Sequence, residues 1–398
     1  MKRDRNQLFL IGGPGDGQTP PGAIARDFDS ARLTQARHLA GMTKKEVADA
    51  INVTAAAVGQ YEAGMRPRPD LIPALAEILN VPPAFFLPGR PHARLDASMA
   101  HFRSLRSTRA FQRAKAVAFT EQVWEVTYAL EKRIRLPYVD LPGFSGGESS
   151  PPTDCPHEPR VAARLIRQQW NLGTGPVRHL IRTMESHGIV TAMVPFDDAD
   201  VARVDAFSTS RLPRPVIILT PDRAKDVYRH RYTAAHELGH LILHGETAPG
   251  DYQQEREADA FAAEFLTPID SIKPELPPRV DFTALTHLQQ IWGVSVKSLL
   301  YRCREVGQIS DSAASRGYQR LNSLNTSGTL RNEPTTSFPG ELPSILSRAF
   351  NLANENGLSL RVLADELAWY PNRVRRLLSQ HDERPVLRIV LARTSALV

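Results

Sequence analysis

The stretch Thr233-Ala-Ala-His236-Glu237-Leu-Gly-His240-Leu-Ile-Leu-His244 contains two histidines four residues apart. On a helix this spacing puts both imidazoles on one face, about 5–6 Å apart, within reach of a single zinc ion. Glu237 lies between them and completes the HExxH pattern, in which the carboxylate acts on water at a metal site. The stretch therefore predicts a helix that carries two metal ligands and a general base.

The next helical segment offers a third ligand. Between residues 251 and 268 the apolar residues recur at helical spacing, and Glu255 and Asp259 lie four apart on one face. A site with two histidines and a carboxylate gains from a second acid that fixes a histidine ring. We expect Glu255 to bind the metal and Asp259 to hold a histidine.

Three other side chains near the pattern are expected to lie outside the site. His244 is followed at once by Gly245, which does not fit the extended zincin pattern, so we expect it to stabilise the helix C-terminus. Glu257 points away from the face of Glu255, and Glu264 lies more than two turns further along, so both are expected on the surface.

The chain before the HExxH stretch is typical of helices followed by short strands. Residues 160–170 and 177–187 have helical apolar stripes, and residues 189–194, 206–209 and 216–220 have the composition of strands. We expect residues 206–209 to form the edge of a small sheet, where a peptide substrate could add as a further strand.

Residues 30–87 have the pattern of short helices joined by brief turns. Thr43 is positioned to cap a helix over 44–50, and Thr54 to cap the next one over 55–62. Two short helices joined by a tight turn within a small bundle are the layout of a helix-turn-helix.

The run from Gly41 to Gly64 closely resembles the helix-turn-helix of Cro/repressor-type (XRE) regulators, and residues 67–86 resemble its closing helices. The resemblance implies a homodimer that reads paired half-sites of double-stranded operator DNA. A bundle that docks a protein instead of DNA is the open alternative. The residues expected to contact DNA are Thr54, Ala55, Ala56, Gln60, Lys44 and Arg103.

The helix pair formed by Ala234 to His244 and Glu255 to Pro268 closely resembles the ImmA/IrrE metallopeptidase family, with a likeness from about residue 157 to 305. The resemblance implies a gluzincin-like site. Its relatives cleave or otherwise inactivate helix-turn-helix repressors, and the order of the two units resembles fused regulators of bacteria and phages. The implied roles are Zn²⁺ ligation by His236, His240 and Glu255, and general base catalysis by Glu237.

These features predict a DNA-binding transcriptional regulator with a zinc-dependent endopeptidase domain that cleaves a repressor, in cis or in trans. The alternative is a non-proteolytic regulator whose metal domain senses zinc or a ligand. A hydrophobic content of 42% with 23% charged residues is that of a soluble globular protein, and a net charge of +6 permits an anionic partner. Two cysteines without a CxxC spacing, and no apolar run of membrane length, favour a cytoplasmic protein that has no membrane partner.

The expected fold class is α+β, mainly α. In chain order we expect a flexible tail (1–27), the helix-turn-helix domain (28–95), basic and amphipathic connecting helices (96–140), a minimal gluzincin-like domain with a small β-sheet and the HExxH helix (157–305), a linker (306–338) and a C-terminal helical hairpin (339–398). Two alternatives stay open. The arginines at 103–113 form a solvated helix face, or they have a phosphate-contacting or interdomain role. The C-terminal hairpin docks on the protein or is a second DNA reader.

Overall fold

The computed structural model describes residues 19–89, 91, 101–102, 110–142, 144, 156–194, 206–220, 225–244, 252–326 and 333–379. The chain divides into two compact units, residues 1–90 and 91–398. The described part is mainly helical and contains one small sheet, so the predicted fold class is confirmed.

Unit 1 is a bundle of five α-helices among its described residues, closed by a 3-10 helix. Two predicted N-caps are present: Thr43 and Glu46 form a reciprocal capping box, and the Thr54 hydroxyl accepts from the Ala57 amide at 3.1 Å. Such caps satisfy amides that the first helical turn leaves unpaired, which explains why the predicted starts were correct. The elements are α1 (Pro21–Arg26), α2 (Ser30–Ala40), α3 (Lys44–Ala50), α4 (Ala55–Glu62), α5 (Leu71–Ile78) and the 3-10 helix Pro83–Phe86.

Helix α1 lies inside the segment that composition marks as a flexible tail, so residues 21–26 correct that prediction. Pro21 occupies the first helical turn, where its missing amide is no loss. Ile24 and Ala25 are buried, and α1 contacts α5 and the 3-10 helix. Residues 1–18 of the predicted tail lie outside the described residues.

Unit 2 contains the sheet and the helices around it. The HExxH stretch lies in α9, directly after the last strand, and the helix predicted to supply the third ligand is α10. The elements are β1 (His101–Phe102), α6 (Ala110–Glu131), α7 (Pro159–Gln169), α8 (Leu180–Ser186), β2 (Val190–Met193), β3 (Phe207–Thr209), β4 (Val216–Leu219), α9 (Val227–Leu243), α10 (Tyr252–Leu266), α11 (Ile269–Ile272), α12 (Phe282–Trp292), α13 (Val296–Glu305), α14 (Asp311–Thr326), α15 (Ile345–Glu355), α16 (Leu360–Leu367) and α17 (Pro371–Leu377).

The described sheet has the order β1-β3-β4-β2. Strands β2 and β4 are parallel, whereas β3 is antiparallel to both β4 and β1. The expectation that residues 206–209 form a free edge is therefore wrong, because His101 and Phe102 pair with Ser208 and Phe207 along the side that would have been exposed. A strand that arrives from about 100 residues upstream cannot be anticipated from local pattern.

Helices α9 and α10 approach each other closely at Gly239. A Cβ placed on Gly239 would lie 3.1 Å from the Phe261 ring and 3.2 Å from the Ala258 Cα, closer than ordinary side-chain contacts. Glycine at this position therefore lets the two helices with the predicted metal ligands pack backbone against backbone. Buried Phe261 and Phe265 of α10 join the core that covers the sheet.

The predicted linker at 306–338 is helical over much of its length, which corrects that prediction. Helix α14 spans Asp311–Thr326, and Ala314 and Leu321 are buried in the core of unit 2. The segment is rich in Ser, Asn and Thr, but two apolar residues seven positions apart lie on one helix face and bury it. Composition alone misses such a helix because most of its surface is solvated.

The C-terminal helices pack on α6 and on β2 in unit 2, in keeping with a docking hairpin. Lys132 and Arg133 of unit 2 both bind Glu366, at 2.9 Å and 2.6 Å. The Arg373 guanidinium donates to the Gln122 side chain at 3.1 Å. This contact between the C-terminal hairpin and α6 favours docking over a second DNA reader.

The burial of His230 predicts that the stability of unit 2 depends on pH. The side chain is fully buried in α9, and its Nε2–H donates to the Glu341 backbone oxygen at 2.8 Å. Burial, with a smaller effect of Arg231, lowers the pKa of His230 from 6.5 to about 4. A group whose pKa falls on folding stabilises the fold fully above the unfolded value, and this contribution is lost as the pH drops from about 6.5 towards 4.

We expect this loss to be on the order of 3 kcal/mol, and to be absent in His230→Gln, which keeps a donor but does not titrate. Urea unfolding between pH 7 and pH 4.5 measures it. Tryptophan fluorescence reports on unit 2 alone, because all four tryptophans, at 124, 170, 292 and 369, lie there. Parallel pH profiles for the two proteins would contradict the expectation.

Candidate metal centre

Helix α9 presents His236 and His240 on one buried face. The Asp226 carboxylate caps the helix by accepting from the Tyr228 amide at 3.2 Å. His236 is 0% exposed and His240 1% exposed, so neither ring is hydrated in the ordinary way. The i, i+4 spacing brings their Nε2 atoms to 3.1 Å from each other.

Glu255 of α10 faces both histidines. One carboxylate oxygen lies 3.5 Å from His236 Nε2 and the other lies 3.4 Å from His240 Nε2. Ligand atoms around a tetrahedral zinc with bonds of 2.0–2.1 Å are about 3.3 Å apart. The three separations therefore fit a divalent metal held by two imidazoles and one carboxylate, the set predicted from the sequence.

The charge of Glu255 also suits this role. Burial raises its pKa, but the contacts with His236 and His240 outweigh burial and lower the pKa of Glu255 to about 2. The pocket therefore presents an ionised carboxylate next to two imidazole nitrogens, a donor set that zinc favours.

Asp259 occupies the position expected of a residue that orients His236. Its Oδ1 atom lies 2.8 Å from His236 Nδ1, and the Tyr232 hydroxyl donates to the same oxygen at 3.2 Å. Tyr232 thus supports Asp259. Tyr228 gives its hydroxyl to Glu333 at 3.0 Å, away from the two histidines.

His244 and Glu257 correct two predictions. His244 is the residue that ends α9, as expected, but its ring is 4% exposed and contacts His240, with the two Nδ1 atoms 3.1 Å apart. Glu257 does not lie on the open surface, since its Oε2 atom is 2.8 Å from His244 Nε2. Both side chains belong to the surroundings of the candidate centre.

Glu264 also differs from its prediction. Instead of lying on the surface it is 1% exposed and pairs with the buried Arg302 guanidinium at 3.2 Å. A sequence pattern cannot indicate this pairing, because Arg302 arrives from α13, 38 residues later.

Glu237 directly follows His236 in α9 and is fully buried, and β3 contributes a partner for its carboxylate. The Ser208 hydroxyl lies 2.9 Å from Glu237 Oε2, to which it donates. Sequence reasoning identified Glu237 and the strand but missed Ser208. The only available signal was the strand at 206–209, whose register against α9 depends on tertiary packing.

Four of the predicted DNA contacts lie together on unit 1. Thr54, Ala55, Ala56 and Gln60 are exposed on the first two turns of α4 and its cap. Lys44 is also exposed, but its ammonium pairs with Glu62 at 3.1 Å, which reduces the charge available to a phosphate. Arg103 lies outside the described residues.

Comparison with known families follows the two units. Residues 33–86 match the family model described as helix-turn-helix, and residues 184–304 match the family model described as IrrE N-terminal-like domain, a peptidase family. No curated protein gives a significant match. Across the part of the chain that the structure describes, every helix is too short or too polar to cross a bilayer. The chain thus joins a repressor-type (XRE) helix-turn-helix domain to an ImmA/IrrE-type peptidase-family domain in one polypeptide.

Proposed function

We propose that this chain is a DNA-binding transcriptional regulator whose second unit is a zinc-dependent endopeptidase that cleaves a helix-turn-helix repressor. The observation that carries the proposal is the set of three donor groups at ligand spacing, from His236, His240 and Glu255, together with the fully buried Glu237, which directly follows His236 in α9. A structural zinc site has four protein ligands and needs no general base, whereas a catalytic site keeps one coordination position open.

Each residue of the candidate centre has a separate proposed role. His236, His240 and Glu255 would hold Zn²⁺, which when bound supplies a Lewis acid for the scissile carbonyl. Glu237 takes the proton of the attacking water and returns it to the nitrogen of the leaving amine. Ser208 holds the Glu237 carboxylate, so that one oxygen keeps its orientation while the other accepts the proton. Asp259, held by Tyr232, orients His236.

The sheet favours cleavage in cis. Peptidase substrates commonly bind by adding a strand to a sheet edge. Here His101 and Phe102 lie antiparallel to β3, and His101 is opposite Ser208, the residue that contacts Glu237. Because residues 91–109 connect the helix-turn-helix domain to α6 in the sequence, we propose that this connecting segment is the first candidate for the scissile bond. Its cleavage would separate the DNA-binding unit from the rest of the chain.

Intact-mass spectrometry of the purified full-length chain tests this function. With zinc present we expect two fragments whose masses sum to the intact mass plus one water, and with a chelator we expect the intact chain. Candidate helix-turn-helix repressors are added in parallel to detect cleavage in trans. If the chain binds one zinc but cuts neither itself nor any repressor under inducing conditions, the non-proteolytic sensor is the correct function.

DNA binding makes a separate prediction at Gln60. We propose that the protein is a cytoplasmic homodimer in which α4 enters the major groove and Gln60 reads an adenine edge. Gln60→Ala should cost about 1–3 kcal/mol of discrimination at one base pair in each half-site. Gel-shift titrations with the chain's own promoter and its single-base variants measure this change.

Lys44→Ala is the matched comparison for Gln60→Ala. Loss of a phosphate contact should weaken binding to all DNA sequences equally and reduce the slope of log affinity against log salt concentration by about 1. The effect is smaller if Glu62 keeps most of the Lys44 charge. If neither variant changes DNA binding, Gln60 and Lys44 are not the DNA contacts; if the wild-type chain binds no DNA, docking of a protein by unit 1 is favoured.

A further inference from the structure

A line of three side chains runs from the candidate metal centre to α10. His240 Nδ1 lies 3.1 Å from His244 Nδ1, and His244 Nε2 lies 2.8 Å from Glu257 Oε2. His240 and His244 are 1% and 4% exposed, so bulk water does not replace these contacts. His244 is one helical turn beyond His240 on the same face of α9, which brings the rings together without distortion.

The Glu257 carboxylate determines which ring nitrogen of each histidine in this line carries the proton. A carboxylate only accepts, so His244 Nε2 must carry the proton and donate to Glu257. A neutral His244 then has its lone pair on Nδ1 and accepts from His240. His240 in turn carries its proton on Nδ1 and has its lone pair on Nε2, the atom that faces Glu255.

The reverse arrangement is unfavourable. If His240 carried its proton on Nε2, its Nδ1 lone pair would require a donor, and His244 would have to donate from its own Nδ1. His244 Nε2 would then set a lone pair against the Glu257 carboxylate at 2.8 Å, two acceptors facing each other in a half-buried pocket. One tautomer of His240 is therefore selected by a carboxylate on the neighbouring helix α10.

We propose that His244 and Glu257 are positioning residues for the metal centre, which act through His240 by holding its ring and keeping its Nε2 lone pair directed at the metal. This inference rests on the proposed function. Under this proposal the two histidine ligands are oriented in different ways. A carboxylate, Asp259, holds His236 directly, whereas His240 is held through a second imidazole.

Zinc affinity of the full-length chain, measured by competition with a chromogenic chelator, tests the proposal. We expect His244→Leu to weaken zinc binding by about 10–100-fold, since the His240 proton loses its acceptor, and Glu257→Ala to weaken it by about tenfold. His244→Asn places an oxygen near the position of Nδ1, and should restore affinity to within about threefold of wild type. The visible spectrum of the Co²⁺ form should shift in the first two variants and return in His244→Asn.

The controls separate this proposal from the proposed function. Gln253→Ala removes another side chain that contacts Glu257, at 2.7 Å, and should bind zinc like wild type. Apo-protein circular dichroism checks folding, and Glu257→Ala, on the half-exposed end of the line, still tests the proposal if buried His244→Leu fails to fold. Wild-type affinity and spectrum in Glu257→Ala, or equal losses in His244→Asn and His244→Leu, would overturn the positioning role. A wild-type chain that binds no metal would instead refute the proposed function.

Discussion

Glu237→Gln is expected to reduce cleavage by at least about 10³-fold while the protein still binds one zinc. The amide has nearly the volume of the carboxylate, and it can keep the Ser208 hydrogen bond, but it cannot accept a proton. Glu237 is fully buried and directly follows His236 in α9, so the proposed base and the proposed ligands lie on the same helix. Fragment formation by mass spectrometry and zinc content by elemental analysis measure the two quantities on one sample.

Ser208→Ala is expected to have a smaller effect than Glu237→Gln. It removes one donor to the Glu237 carboxylate but keeps the carboxylate itself, so a loss of about tenfold in rate is expected, with zinc content unchanged. If Glu237→Gln cleaves at the wild-type rate, Glu237 is not the base. If both variants lose zinc, Glu237 and Ser208 support the metal pocket itself.

Glu255→Ala is expected to weaken zinc binding by at least about 100-fold. It removes the only charged member of the candidate ligand set and leaves two imidazoles on one helix face. At a zinc concentration that saturates wild type, the variant should also lose the rise in melting temperature that a ligand bound only to the folded state produces. Chelator competition measures the affinity, and thermal unfolding with and without zinc measures the stabilisation.

Glu355→Ala makes the same change of charge at an exposed position of α15 and serves as the control. It should bind zinc like wild type. Equal affinity in Glu255→Ala and Glu355→Ala would mean that the third ligand is another group, and the roles of His236 and His240 could then be tested separately by His236→Ala and His240→Ala.

The sequence by itself predicted the starts of α3 and α4 and the candidate ligand set, whereas α1 and α14 were missed. Thr43 and Thr54 mark helix starts because capping is a local interaction within one turn. His236, His240 and Glu255 could be predicted because i, i+4 spacing fixes a face within each helix, and a two-histidine site needs a nearby carboxylate. The same short-range logic placed Asp259 beside a histidine, and the structure brings it to His236.

Only the tertiary structure decided which groups from different elements meet. The pairing of β1 with β3, the contact between Ser208 and Glu237, and the contact between His244 and Glu257 all join residues of different elements, whose separation along the chain carries no periodic signal. Gly239 shows the physical reason. Because it has no Cβ, α9 and α10 approach closely, and this close packing brings their polar side chains into contact. Local pattern determines which face of a helix a residue occupies, but the partner of that face is determined by how closely the helices pack.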